Sequence, residues 1–220
     1  MNNIQHFLSR LLAYSFTVAV IGFTLLMVTK ILPYMTFERA INFLGTKPDA
    51  VLDKNYFMVA FYIHITSSVF VMGGGVFQFF SKILRGYPKV HHLIGKIYIG
   101  SILLLAAPSG LVLAAYANGG LPAKVGFTMQ CLVWWWITFA AWQAAMQKDW
   151  SKHSEMMLRS YAVTLAAMSL RTESYALYYV FETKPIETYL TVTWLSWVGN
   201  LFIAEIMIYF GFVKKYFNKI

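Results

Sequence analysis

Long apolar runs alternate with short polar connections along this 220-residue chain. There are six such runs, over residues 11–32, 56–80, 93–117, 125–146, 157–181 and 189–212. Each holds about 20–25 residues, enough for an α-helix to cross the roughly 30 Å hydrocarbon core of a bilayer. The pattern predicts an all-α, polytopic membrane protein with six transmembrane helices in one bundle, forming a single membrane domain over residues 1–220.

Composition agrees with this prediction. Hydrophobic residues make up 59% of the chain and charged residues 12%, whereas soluble domains average about 25% charged residues. The net charge of +9 comes from basic residues near the ends of the apolar runs. Attraction to anionic lipid headgroups explains this placement, so we expect a lipid bilayer as partner and no nucleic acid.

The basic residues also predict the orientation of the helices. A cytoplasmic N-terminus gives an inner set of Arg10, Lys82, Arg85, Lys89, Lys96, Lys148, Lys152, Arg159, Lys214, Lys215 and Lys219, and an outer set of Lys30, Arg39, Lys47, Lys54, Lys124 and Lys184. The inner set is nearly twice as large as the outer set. The positive-inside rule therefore predicts that both termini face the cytoplasm.

The first connection is the longest and carries a helical pattern of its own. Between Thr36 and Gly45, the apolar residues Phe37, Ile41 and Leu44 fall on one face at helical spacing. Thr36 is suited to cap the free amides at the start of such a helix. The segment is predicted to form a short amphipathic helix on the outer membrane interface, between helices one and two. Such a helix also offers a docking element for a partner.

Polar side chains inside the apolar runs carry the main functional signal, because each destabilises a lipid-embedded helix unless it is paired or faces water. In the fifth run, a polar face predicted to point into the bundle includes Ser160, Thr164, Arg171, Tyr175 and Tyr178. A wider candidate set comprises His64, Ser68, Gln78, Arg171, Glu173, Asn200 and Glu205. This set either fixes the helix register as a buried network or lines a ligand pocket. His64, Ser68 and Arg171 would place such a pocket on the outer side, for an anionic or redox ligand, whereas Glu205 lies in the inner half.

A second candidate site lies where the third and fifth apolar runs begin, at one membrane face. Its members are His91, His92, Gly95, Lys96, His153 and Arg159. Imidazole binds haem iron and other metals, so His91 and His153 are candidate ligands of one haem b or of a metal ion. Lys96 or Arg159 would then bind the haem propionates, and Gly95 would let the flat macrocycle approach the helix. Alternatively, these histidines lie in water and bind lipid headgroups.

Several motifs in a fixed order resemble a known family. They are Tyr62-Ile-His64-Ile, Gly75-Val-Phe-Gln78, His91-His-Leu-Ile-Gly95-Lys96-Ile-Tyr98, His153-x-x-Met-Met157-x-Arg159, and Trp197-x-x-Asn200-Leu with Glu205. Together they resemble the bacterial membrane proteins grouped as domain of unknown function 2306, over about residues 55–210. The resemblance implies a multi-pass protein of the bacterial inner membrane and no assigned activity.

A looser similarity is to b-type cytochromes of the b561 kind, six-helix proteins that also have a His-x-x-x-Gly arrangement at a haem ligand. His91 and Gly95 match that arrangement. Those cytochromes hold two haems with four intramembrane histidines. In this chain only His64 is clearly intramembrane, so the resemblance implies at most one haem, on the inner side.

Three functional hypotheses follow. The first is a membrane redox protein that carries one haem b near the cytoplasmic face and exchanges electrons with quinone. The second is a non-enzymatic subunit or assembly factor of an envelope complex, which would bind other membrane subunits. The third is a metal-dependent membrane enzyme or a small-anion permease. Hydrolysis through a nucleophilic Ser or Cys is disfavoured, because no nucleophile-elbow motif is present.

Overall fold

The computed structural model describes residues 3–39, 41–79 and 86–213, with the backbone alone for residues 3–10. Its α-helices are α1 (Asn3–Ile31), α2 (Asp49–Leu52), α3 (Asn55–Phe77), α4 (Pro88–Ser101), α5 (Ala107–Ala115), α6 (Gly120–Met146), α7 (Trp150–Thr164), α8 (Ala166–Phe181) and α9 (Pro185–Tyr209). Two 3-10 helices (Leu32–Thr36 and Leu44–Thr46) and one π-helical turn (Ile102–Ala106) join them. The described residues contain no β-strand, which confirms the all-α prediction.

Within the described residues, four helical stretches are long and apolar enough to cross a membrane: Leu11–Thr36, Asn55–Phe77, Pro88–Ala115 and Pro185–Tyr209. Large apolar side chains cover their outer surfaces, such as Leu12 at 70% exposed and Leu104 at 76%. Such surfaces are expected to contact lipid. The chain is therefore a multi-pass helical membrane protein.

These four stretches establish neither the predicted number of crossings nor their orientation. The crossings predicted for α6 and for α7 with α8 are not in the set of four. The basic residues that lie outside the described residues are Lys82, Arg85, Lys214, Lys215 and Lys219. The six-crossing topology and its orientation accordingly stay predictions.

A π-helical turn joins α4 to α5, just before Pro108. The amide of Ala107 bonds to the carbonyl of Ile102, five residues earlier. The next bond of this kind would pair residue 108 with Leu103, but proline has no N–H. The indole Nε1–H of Trp135 on α6 donates instead to the Leu103 carbonyl at 3.1 Å. A side chain of the neighbouring helix thus satisfies a carbonyl that Pro108 leaves unpaired.

A Trp135→Phe variant is therefore expected to unfold about 1–2 kcal/mol more easily, because the Leu103 carbonyl loses its donor within an apolar bundle. Detergent-induced unfolding of the purified protein, followed by circular dichroism, measures the difference. Trp136→Phe is the matched control: Trp136 is exposed, and its indole makes no hydrogen bond to the residues that the structure describes. Equal unfolding midpoints for the two variants would refute this role for Trp135.

A cluster of hydroxyl groups lies at the centre of the bundle. The phenol of Tyr98 on α4 lies 3.0 Å from Ser160 Oγ and 2.9 Å from Thr164 Oγ1, both on α7. From α6, Thr138 Oγ1 lies 2.7 Å from Ser160 Oγ, and the indole of Trp134 donates to Thr164 at 3.2 Å. These bonds hold three helices in register without an ionised group. The inward direction predicted for Ser160 and Thr164 is confirmed, since both are buried.

The same face does not continue into α8. The α-helix is interrupted at Leu165, and beyond it Arg171, Tyr175 and Tyr178 are exposed. The prediction that these three side chains point into the bundle is wrong, because the inward face of α7 does not continue past the break. Asn200 on α9 spans the break: its Nδ2 donates to the Ala162 carbonyl at 3.0 Å, and its Oδ1 accepts from Ser169 Oγ at 2.9 Å.

The outer connection folds differently from the prediction. A single helix over residues 36–45 is wrong: the α1 end continues as a 3-10 helix to Thr36, and Phe37 and Asn42 have positive φ angles of 59° and 45°. Leu44 is fully buried in a small apolar cluster that includes Phe57 of α3. Burial of Leu44 against α3 requires a compact loop, whereas an interfacial helix would turn this residue toward lipid.

Lys47 anchors this loop to the end of α5. Its ammonium donates to the carbonyl of Tyr116 at 2.6 Å and to Asn118 Oδ1 at 2.8 Å. A cation at the carboxyl end of a helix is favoured by the helix dipole. Burial, and then the charge of Lys124, lower the pKa of Lys47.

Candidate functional site

A cavity of about 670 Å³ opens where α4 and α7 begin and α3 and α6 end. Residues that line it include Gln78, His91, Lys96, Trp142, Trp150 and His153. We call it the histidine cavity. Its volume lies within the range of about 300–1,000 Å³ that is usual for small-molecule sites.

The tautomer of His153 follows from its hydrogen bond. Asp149 caps α7 by accepting from the amide of Lys152 at 3.0 Å, which places His153 in the first turn. Nδ1 of His153 lies 2.9 Å from the carbonyl of Ala141 on α6. A carbonyl only accepts, so the neutral imidazole carries its proton on Nδ1. The lone pair is then on Nε2, as in imidazoles that bind a metal or accept a proton.

His91 has the opposite tautomer, because Gln78 on α3 lies against the first turns of α4. The orientation of the Gln78 amide is assigned from the backbone of α4, because only one orientation satisfies it. In that orientation the oxygen accepts from the Gly95 amide at 3.3 Å, and the nitrogen donates to the His91 carbonyl at 3.3 Å. The same nitrogen lies 3.0 Å from Nδ1 of His91. Nδ1 must therefore accept, and the proton of the neutral ring is on Nε2.

Gly95 makes this contact possible. A Cβ atom on Gly95 would lie 3.1 Å from the Gln78 amide, which is too close for an undisturbed fit. The sequence predicted that the bare face of Gly95 would receive a flat macrocycle. In the structure, the Gln78 side chain covers that face.

The two cations of the predicted site, Lys96 and Arg159, have different surroundings. Lys96 lines the histidine cavity and makes no ion pair with any carboxylate that the structure describes. Arg159 instead forms a two-pronged ion pair with Glu205 on α9, with N–O distances of 2.6 and 2.9 Å. The amino ends of α4 and α7 add partial positive charge near Lys96. The cavity thus favours negative charge on a bound molecule.

The structure therefore brings together His91, His92, Gly95, Lys96 and His153, and it adds Gln78 from the other candidate set. Arg159 is not among the lining residues. In the described ranges, no group of three or more His, Cys, Asp or Glu side chains is arranged to hold a metal ion. His92 is exposed at the cavity edge, so a site that uses all three histidines as ligands is not formed.

The remaining polar residues belong to separate local sets. His64 donates from Nδ1 to the Ala106 carbonyl at 3.0 Å, and Ser68 donates to the His64 carbonyl at 2.6 Å. Arg171 donates to the Ala167 carbonyl at 2.7 Å and lies over the ring of Phe23. Glu173 lies on α8 facing away from Arg171, and Asn200 spans the helix break. The seven residues predicted as one network or pocket do not meet at one place.

Sequence reasoning missed two aromatic residues of the cavity, Trp142 and Trp150. Trp142 lies near the end of an apolar run and Trp150 in the connection that follows it, and tryptophan is common at membrane interfaces. For Trp150 the sequence held a signal, since it lies three residues before His153 and residues three apart share a helix face. For Trp142 it held none, because its place depends on the packing of α6 against α7.

Among curated proteins and among solved structures nothing matches this chain, so the similarity to b561-type cytochromes gains no support. The model of one family, described as "Predicted membrane protein (DUF2306)", matches residues 61–208. This match includes Gln78, His91 and His153 and covers more than half of the chain. The protein therefore belongs to the DUF2306 family of predicted membrane proteins.

Proposed function

We propose that the protein is a membrane redox protein whose histidine cavity binds the ring of a quinone or quinol. The observation that carries the proposal is the pair of opposite tautomers. His91 offers an N–H donor at Nε2, and His153 offers a lone pair at Nε2. A ligand with one oxygen that accepts and another that donates satisfies both imidazoles.

Quinones and quinols have this chemistry. A quinone carbonyl accepts from Nε2–H of His91, and a quinol hydroxyl donates to Nε2 of His153. Trp142 and Trp150 provide aromatic faces for the ring. Lys96 and the amino ends of α4 and α7 stabilise negative charge that develops on the ring oxygens.

The proposal includes the finer topology. α6 holds 27 residues, about 40 Å of helix, and packs beside α5 and α7. At the end opposite to the histidine cavity, the turn before α6 approaches α9, where a Cβ on Gly119 would lie 3.0 Å from Tyr189. α6 therefore extends from the end of the bundle that holds the histidine cavity to the opposite end, and this length supports six crossings. The excess of basic residues supports both termini in the cytoplasm of a bacterium, with the cavity at the inner face of its inner membrane.

A haem b held by His91 and His153 stays a prediction, with one observation in its favour. The bond from His153 Nδ1 to a carbonyl is the kind that orients haem-binding imidazoles. Nε2 of His91 carries a proton, however, so ligation by His91 requires the Gln78 amide to leave Nδ1. Arg159, a predicted propionate partner, is already paired with Glu205. These contacts favour the quinone proposal over a haem with two histidine ligands.

The test is a titration of the protein in lipid nanodiscs, once with a short-chain quinone and once with its quinol. Quenching of tryptophan fluorescence measures the binding. Loss of one neutral hydrogen bond weakens binding by about 0.5–1.5 kcal/mol, roughly two- to tenfold. His153→Ala is expected to weaken quinol binding more than quinone binding, because only the quinol has a hydroxyl that donates to His153. His91→Ala is expected to weaken both, since carbonyl and hydroxyl oxygens both accept from its Nε2–H.

The control for this titration is Arg39→Ala. Arg39 pairs with Asp53 in the outer connection, far from the cavity, so both affinities should be unchanged. A His153→Ala variant that weakens quinone and quinol binding equally, or a His91→Ala variant that weakens neither, would contradict the proposal. An absorption spectrum with a Soret band that disappears in His153→Ala would establish haem instead.

A further inference from the structure

Two buried polar atoms stand out in the part of the chain that the structure describes. Oε2 of Glu173 on α8 and Oγ of Ser196 on α9 have no hydrogen-bond partner. Ser196 is fully buried. Buried polar atoms in native proteins are nearly always paired, so two unpaired atoms in one helix pair need an explanation.

The helix register places these two atoms opposite each other. α8 and α9 are consecutive, antiparallel helices, and Ser169 bonds to Asn200 across their interface at 2.9 Å. Residues four apart lie one above the other on a helix. Glu173 is therefore one turn beyond Ser169 on α8, and Ser196 is one turn before Asn200 on α9. The unpaired carboxyl and the unpaired hydroxyl face the same level of the interface.

No cation compensates Glu173 there. α9 contains no Lys or Arg between Pro185 and Tyr209, and Arg171 is the only cation of α8. Arg171 bonds to its own helix and lies over Phe23 of α1, on another side of α8. From α7, Arg159 is paired with Glu205, which is about 13 Å along α9 from Ser196. If α8 crosses the bilayer as proposed, a charged carboxylate whose buried oxygen Oε2 has no partner costs several kcal/mol, so we expect the group to hold a proton.

We infer that Glu173 and Ser196 form a proton-binding site in the half of the bilayer opposite to the histidine cavity. Glu173 binds the proton as a neutral carboxyl. It makes no hydrogen bond to Ser196 in the present structure, and a change of its side-chain rotamer brings the two groups together. The hydroxyl then accepts from the protonated carboxyl and rotates to donate when the proton leaves. This site is separate from the quinone site, and its place in the bilayer rests on the six-crossing topology of the proposed function.

The experiment uses dicyclohexylcarbodiimide, an apolar reagent that modifies protonated carboxyls in membranes. The carboxyl proton passes to one diimide nitrogen while the carboxylate oxygen bonds to the central carbon. We expect peptide mass spectrometry of the labelled full-length protein to find the adduct on Glu173 at neutral pH. Glu205 is the internal control, because its bidentate pairing with Arg159 keeps it ionised, and it should remain unlabelled.

Two variants complete the test. Glu173→Gln should lose the label while the protein keeps its elution volume and its quinone titration. Ser196→Ala should stay labelled to a higher pH than the parent protein, since the carboxylate loses its donor. An unlabelled Glu173 in folded protein, or equal labelling of Glu173 and Glu205, would overturn the inference. An unchanged pH dependence in Ser196→Ala would remove Ser196 from the site.

Discussion

A Gly75→Ala variant is expected to lose about 3 kcal/mol of stability, at the upper end of the range for an overpacked core. A Cβ atom on Gly75 of α3 would lie 2.6 Å from Cδ2 of Tyr161 and 2.8 Å from Cε2 of Tyr98. Neither ring can move freely. The Tyr98 phenol is bonded to Ser160 and Thr164, and the Tyr161 phenol donates to the Met72 carbonyl at 3.2 Å. A single methyl group therefore strains the hydroxyl cluster at the centre of the bundle.

The neighbouring glycine supplies the control. A Cβ on Gly74 would lie 3.7 Å from Ile94, an ordinary contact. Gly74→Ala should therefore be neutral or stabilising, because alanine favours a helix over glycine by up to about 1 kcal/mol. Size-exclusion chromatography and detergent-induced unfolding of both variants test the contrast. If both variants behave like the parent protein, α3 is not packed against Tyr98 and Tyr161 as the structure has it.

The second large effect is expected at the ion pair between α7 and α9. An Arg159→Met variant should lose about 2 kcal/mol, less than a fully buried pair would, since the Glu205 side chain is 52% exposed. The loss arises because Glu205 keeps its charge beside apolar helices or must bind a proton. An Arg159→Met, Glu205→Met double variant should recover most of the stability, because only the longer contact of Arg159 with Glu155, at 4.0 Å, is then lost.

The control for this double-mutant cycle is the Arg39→Met variant. It breaks the pair with Asp53, in which both side chains are more than half exposed, so its effect should stay within about 0.5 kcal/mol. The unfolding midpoints of the single and double variants give the coupling energy. If the losses from Arg159→Met and Glu205→Met simply add, the two residues do not stabilise each other.

The helices themselves were predictable from the sequence because lipid imposes a simple requirement. Each apolar run must satisfy its own backbone, so long runs become helices. The third run begins earlier than predicted, at Pro88, because proline fits the first turn of a helix, where no amide partner is needed. The shared location of His91 and His153 also follows from chain order, since both lie at the start of helices that run in the same direction.

Other features depend on contacts between helices, which the spacing of apolar residues in the sequence does not reveal. The proton positions on His91 and His153 depend on a facing amide and a facing carbonyl from α3 and α6. The break at Leu165 has no proline or glycine to announce it, and it turns Tyr175 out of the bundle. Leu44 could pack into lipid or onto α3 at the same helical spacing. The alignment of Glu173 with Ser196 requires the register of two helices, which single residues do not encode.

The interruption at Leu165 divides this stretch of the chain into α7, which holds His153, and α8, which holds Glu173. The amide of Asn200 bonds to both helices, to the Ala162 carbonyl on α7 and to Ser169 on α8. Because one side chain joins the two helices, a change in the tilt of α7 is expected to reach the turn of α8 that precedes Glu173.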